Sequence, residues 1–221
     1  MKRVVPIAQG EHYHILNRGN NKQILFKDDK DRVRFLFLLL YFQSPLTFPK
    51  ISPITSNYVK HPVFDVSDEN IKSIIRDRFI DVLNFALMPN HFHLTVYEKK
   101  EGGIARYMQR VLNSYTKYFN TRHEQSGHLF QGPYRAVHIK DEGQLFYLSA
   151  YIHRNPRELP QWKNKEHHYP WSSYQDYIGT NRWGKLLAHE LITEQFLNNE
   201  YREFVEESGA KEIELEQFDK I

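Results

Sequence analysis

Met88-Pro89-Asn90-His91-Phe92-His93-Leu94-Thr95-Val96-Tyr97 is the stretch that decides how this chain is read. Apolar, β-branched and aromatic residues alternate with others behind a Pro-Asn turn, which is the pattern of a strand. Side chains two apart on a strand share a face. His91 and His93 therefore stand side by side, and Phe92 points the other way, into a core. Two imidazoles on one face can hold a divalent cation and leave coordination positions open. The preceding run, residues 79–87, reads as a second, buried strand joined to the first as a hairpin through Met88, Pro89 and Asn90. A His-x-His pair by itself is more often a solvent-facing feature, so the weight falls on the rest of the chain.

Toward the N-terminus, residues 12–18 (HYHILNR) read as a first strand closed by the turn Gly19-Asn20-Asn21. His12 and His14 share a face there. Depending on strand pairing, they line the same site as the later pair, hold the fold, or touch substrate. Asp28-Asp29 opens a helix over about 28–43 with Phe35, Leu36, Leu38, Leu39 and Phe42 on its buried side. Four prolines between 44 and 68 mark an irregular insertion or loop, followed by a short polar helix over 69–78. Toward the C-terminus, Gly102-Gly103 leads into a helix over about 104–122. A Gly-punctuated loop (126–133), a strand (134–139) and a helix (143–153) follow, the last capped by Asp141-Glu142. Pro156 stops that helix and biases Asn155 away from helical geometry. Residues 169–174 form an aromatic segment, and helical stretches near 188–207 finish the chain.

The order strand, helix, strand, strand, helix, strand, helix predicts an α+β fold: a ferredoxin-like, RRM-like antiparallel sheet with helices on one face. The expected organisation is a single domain over 1–180, with the insertion at 44–68, and a C-terminal helical extension over 181–221 that is not an independent domain.

Composition narrows the chemistry. At 221 residues the chain can bury a real core. With no cysteine there is no disulfide framework or thiolate metal site, so a metal must sit on His, Asp, Glu or Asn. No apolar run is long enough to span a membrane and no signal-peptide pattern opens the chain, so a soluble, cytoplasmic protein is expected. Net charge is only +3, but residues 102–140 carry Arg106, Arg110, Lys117, Arg122, Arg135 and Lys140 against Glu124 alone. A basic middle interleaved with aromatics suits a polyanion with stackable bases; an ordinary solvated surface reads the same way. The tail from Glu200 to Ile221 is rich in Glu.

The second informative stretch is residues 147–156 (YLSAYIHRNP). Tyr147, Tyr151 and Asn155 fall on one helical face at intervals of four. A tyrosine beside a metal can attack a phosphodiester, because the cation polarises the phosphate and favours the phenolate. The plainer reading is a helix aromatic packed on the sheet, and most of the 14 tyrosines must be that.

Together these strings carry a resemblance. His91-Phe92-His93 is similar to the histidine-hydrophobe-histidine motif of HUH endonucleases. With Tyr151-Ile152-His153-Arg154-Asn155-Pro156 behind it, the chain resembles the single-tyrosine, IS200-like transposases, and in particular the REP-associated tyrosine transposases. Supporting strings are residues 13–21, 127–132 and 171–174, in the right order over about residues 10–180. The resemblance implies the HUH endonuclease fold. It implies cleavage and rejoining of single-stranded DNA beside imperfect hairpins, through a 5′-phosphotyrosine and a free 3′-hydroxyl. It makes His91 and His93 metal ligands, Tyr151 the nucleophile, and Asn155 the polar group completing a Mg²⁺ or Mn²⁺ site, in a monomer or homodimer.

DNA recognition is expected from Arg18, from the Arg106, Arg110 and Lys117 face, and from the loop ending at Arg135. Phe130 is read either as a base-stacking platform or as core. Tyr115 and Tyr118 compete with Tyr151 for the nucleophile's role and are read as packing or DNA-contact residues. The rival functions are a domesticated hairpin-binding protein with little or no cleavage and, further off, a histidine-dependent phosphohydrolase of small nucleotides.

Overall fold

The computed structural model describes residues 6–58, 62–197 and 200–209. Four strands, β1 (His12–Arg18), β2 (Ile80–Met88), β3 (His91–Glu98) and β4 (Arg135–Ile139), form one antiparallel sheet in the spatial order β2-β3-β1-β4. The helices are α1 (Asp29–Tyr41), α2 (Ile51–Tyr58), α3 (Asp68–Asp77), α4 (Gly103–Arg122), α5 (Glu142–Arg154), α6 (Tyr174–Ile178), α7 (Glu190–Thr193) and α8 (Glu200–Glu207). The α+β, ferredoxin-like expectation holds.

Alternation sets the two faces. Tyr13, Ile15, Phe92, Leu94 and Val96 join the main core with α1 and α4. Phe35 of α1 lies 5.0 Å from Phe92 and 4.8 Å from Tyr115 of α4, ring centre to ring centre. The opposite face is covered as well. Leu83 and Ala86 of β2 pack with Leu145, Leu148 and Ile152 of α5 and with Tyr177 and Tyr201. Helices on one face thus describes α1 and α4, while α5 and the C-terminal helices lie against the other. Every residue of β2 is consequently buried, and the register shift between Val82 and Asn84 changes the main-core positions from Ile80 and Val82 to Phe85 and Leu87, out of step by one residue.

Local rules place the helix ends. Asp28 accepts from the Asp31 amide and Asp141 from the Gln144 amide, which are side-chain N-caps. At α4 the preceding residue is Gly102, at φ 69°, and it offers no side chain. Buried Glu98 substitutes, its carboxylate accepting from the amides of Gly103 (3.0 Å) and Ile104 (2.6 Å). A β-carbon on Gly103 would collide with the Phe79 carbonyl.

Two expectations change. The 44–68 segment contains α2, because Pro53 sits in the first turn, where the missing amide hydrogen would have no helical partner anyway. Residues 59–61 lie outside the described residues, as does the acidic tail beyond 209. Asn155 keeps helical angles (φ −51°, ψ −41°) in spite of Pro156. Its amide hydrogen turns to the Ile152 carbonyl and its side-chain Nδ2 takes the Tyr151 carbonyl at 3.0 Å, so the last turn tightens and stays closed. Beyond residue 180, Trp183, Leu186 and Leu187 are part of the main core. No helix among the described residues is long and apolar enough to cross a membrane.

Candidate active site

The α5-side face of β3 carries His91 and His93, as period-two geometry requires, and their rings are 5.1 Å apart. β1 pairs with β3 so that Leu16 is opposite His93 and His14 opposite Thr95. That register sets His14 diagonally against His93, Nε2 to Nδ1 at 2.9 Å, the rings stacked at 5.1 Å. Burial, with the Arg135 charge nearby, pulls His14 down to about 3, so it is neutral at pH 7. Two neutral imidazoles share one hydrogen across this contact, and the tautomer with the proton on His93 Nδ1 is the one that leaves His93 Nε2 its lone pair. Asn90 fixes the tautomer of His91. Its Oδ1 lies 2.7 Å from His91 Nδ1, and an amide oxygen only accepts, so the proton sits on Nδ1.

Tyr151 reaches these rings from the facing helix. Its ring centre is 5.6 Å from that of His93 and 6.4 Å from that of His14, edge-on to both. The three residues line one cavity of about 620 Å³ with His91, Asn155, Glu158, Arg18 and Arg135. Arg18 and Arg135 place positive charge at the wall.

A buried polar cluster holds α5 from behind. His153 is fully buried, with Nδ1 2.6 Å from Tyr201 Oη and Nε2 2.9 Å from Ser173 Oγ. Its ring stacks on Tyr174 at 5.1 Å and meets Tyr177 edge-on at 4.6 Å. The Tyr201 hydroxyl also meets Ser149 Oγ. Arg154 donates to the Val205 carbonyl. The C-terminal α8 is therefore part of the support of the helix that carries Tyr151.

The other candidates lie elsewhere. Tyr115 is in the main core, donating to the Leu25 carbonyl, and Tyr118 lies under the Arg34 guanidinium at 4.9 Å. Neither lines the cavity. Phe130 is a core residue, 6.2 Å from Phe92. Arg110 braces the chain after α1 by donating to the carbonyls of Phe42, Ser44 and Leu46. Arg106 is exposed over the Phe79 ring at 5.9 Å, away from the cavity. Lys117 is exposed on α4.

A metal site here would have an open donor set. No group of three or more His, Cys, Asp or Glu side chains among the described residues could hold an ion. Two imidazoles with oriented Nε2 atoms, and an amide whose Nδ2 is engaged so that Oδ1 is its remaining donor, still fit an ion that takes its other ligands from phosphate and water.

Asn90, Glu158, His153 and Tyr201 were not singled out for the site from sequence. The sequence places His14 there on the condition that strand pairing sets it beside the later pair, and the β1–β3 register does so. Asn90 had a signal, since a ligating histidine commonly donates its other ring N–H to a neighbouring oxygen acceptor.

The model of the family described as "Transposase IS200 like" matches residues 55–155, a span that contains His91, His93, Tyr151 and Asn155 but not β1. A solved structure of a REP-associated tyrosine transposase bound to a REP hairpin has the same fold, with a TM-score of 0.52 at 12% identity over 80% of this chain and 84% of that one. No curated protein matches the sequence. Over residues 55–155 the sequence resembles the IS200-like transposases, and over most of its length the fold resembles that of a REP-associated tyrosine transposase.

Proposed function

We propose that this chain is a tyrosine transposase: a metal-dependent enzyme that cleaves and rejoins single-stranded DNA beside imperfect hairpins of the REP type. Tyr151 Oη attacks a phosphodiester, the P–O3′ bond breaks, and a 5′-phosphotyrosine forms. The 3′-oxygen leaves as a hydroxyl, with the phenolic proton lost in the same exchange. Attack of a 3′-hydroxyl on the phosphotyrosine reverses these bonds and joins the strands.

The observation that carries this reading is the ring of Tyr151 held edge-on against His93 within one chain. His91, His93 and Oδ1 of Asn155 would hold Mg²⁺ or Mn²⁺, which supplies polarisation of the phosphate and stabilises the phenolate. Arg18 and Arg135 orient the anionic backbone in the cavity. Asn90 fixes the tautomer of His91, and His14 holds the ring of His93 in place. The hairpin carried by the structural neighbour supports a hairpin substrate class.

The test is covalent adduct formation on a labelled single-stranded DNA carrying a hairpin, in Mn²⁺. Tyr151→Phe is expected to abolish the adduct while hairpin binding persists. An adduct formed by the Phe variant would remove Tyr151 as nucleophile. Binding without any cleavage by the unmodified protein would leave the hairpin-binding reading in its place.

A further inference from the structure

We propose that the 44–58 segment and the outer side of α4 form a docking surface for the duplex stem of the DNA, leading into the cavity that holds Tyr151. The identity of the occupant rests on the strand-cleaving reading above. The surface itself rests on charge and continuity.

A groove of about 700 Å³ lies between α1, residues 48–53 and α4. Arg34, Lys50, Lys117 and Arg122 line it, and no Asp or Glu does. Arg122 is already paired with Asp28 and Asp31. Among the described residues, Arg34, Lys50 and Lys117 have no carboxylate within ion-pair distance. Arg34 is pre-oriented, stacked over Tyr118 at 4.9 Å with its Nη1 3.5 Å from Ser52 Oγ. The first turn of α2 lines the same groove and adds its positive end to the three cations. Unneutralised cations gathered on one surface repel one another, and a polyanion relieves that repulsion.

Lys117 also belongs to a second groove, of about 940 Å³, between α4 and the 127–134 loop. Its α4 wall carries Gln109, Asn113, Thr116 and Lys117 beside the apolar Ala105 and Leu112, and again no carboxylate lines it. This second groove meets the Tyr151 cavity at Gly132 and Pro133, which line both. Both grooves are free of lining carboxylates, so a track without acids runs from Lys50 along α4 to the mouth of the Tyr151 cavity, where Glu158 is the first carboxylate met. From Gln109 to Lys117 the helix rises about 12 Å, the length of about three base steps along one strand. Lys50 lies before the segment that matches the family model, so this surface is built in part from sequence outside that match.

The experiment measures binding of a fluorescent imperfect DNA hairpin as a function of salt, using the full chain. Backbone contacts are independent of sequence, so an arbitrary hairpin serves as the probe. Lys50→Ala with Lys117→Ala is expected to weaken binding roughly tenfold near 0.1 M salt and to flatten the log K against log salt slope by about 2. Lys50→Ala alone is expected to flatten it by about 1, which covers the case of a double variant that folds poorly. Lys72→Ala with Lys163→Ala makes the same change in net charge elsewhere and is expected to leave the slope unaltered. Equal slopes for the unmodified protein and the Lys50/Lys117 pair, or equal losses in both pairs, would overturn the surface. Adduct formation by the unmodified protein on a stemless oligonucleotide judges the strand-cleaving reading separately, and the salt slope judges the surface whichever way that result falls.

Discussion

The buried imidazole of His153 makes folding stability depend on pH in a window that the structure defines. In the folded chain, burial holds His153 at about 3. In the unfolded chain it returns to the ordinary histidine value of about 6.5. Between those values the unfolded chain binds a proton that the folded chain does not. Stability is therefore full above about 6.5 and falls as the pH drops through the window. One proton gives a slope of about 1.4 kcal/mol per pH unit, so acidification from 6.5 to 4 removes roughly 3 kcal/mol. In a chain of this length that corresponds to a fall of about 6–12 °C in melting temperature. Asp28 stays out of this range. Hydrogen bonding from Arg122 holds its carboxyl at about 2, and its contribution is lost only as the pH falls below the usual carboxylate value near 4. His14 titrates in the same window, so the informative measurement is a difference. His153→Phe keeps a ring against Tyr174 and Tyr177 and removes the titrating group. Loss of the partners Ser173 and Tyr201 lowers its stability at every pH, which shifts the curve without changing its slope. Urea unfolding between pH 7 and 4 is expected to give the unmodified protein a slope steeper by about 1.4 kcal/mol per unit than the variant. Equal slopes would refute a neutral buried imidazole behind the Tyr151 helix.

Asn90→Ala removes the acceptor that orients His91 and is expected to weaken Mn²⁺ binding by about 10- to 100-fold, read from the metal dependence of adduct formation; a change under about twofold would leave Asn90 a turn residue only. Arg122→Ala strips the fully buried Asp31 of its guanidinium partner, leaving it His123 and the Lys27 amide. A loss of roughly 3 kcal/mol in urea unfolding is expected, and a loss below about 1 kcal/mol would mean that His123 suffices.

Much of the fold was legible because its signals are local. Asp28 and Asp141 announce helix starts through side-chain caps, and the elements they open end within two residues of the expected positions. The irregular reading of 44–68 failed at α2 because proline count says nothing about proline position: Pro53 in a first turn is compatible with a helix. The departure at Asn155 has the same character. A propensity against helix before Pro156 was overridden by one side-chain hydrogen bond to the Tyr151 carbonyl. Basic residues were the least legible, since sequence gives their charge and not their engagement. Arg110 bonds three carbonyls of its own chain, while Arg34, unremarked in the sequence, faces a groove.

For the site, the sequence alone determined that His91 and His93 share a face of one strand and that Tyr151 and Asn155 lie one helical turn apart, because both facts follow from the repeat of a single element. The tertiary structure alone decided that His14 buttresses His93, since that needs the β1–β3 register. It alone brought α5 over the imidazole face of the sheet, with α8 behind it, since docking depends on apolar surfaces contributed by segments far apart in the chain. Twelve histidines and fourteen tyrosines offer many pairings; the packing of a whole core, which no local pattern encodes, selects the one in which His93 and Tyr151 meet.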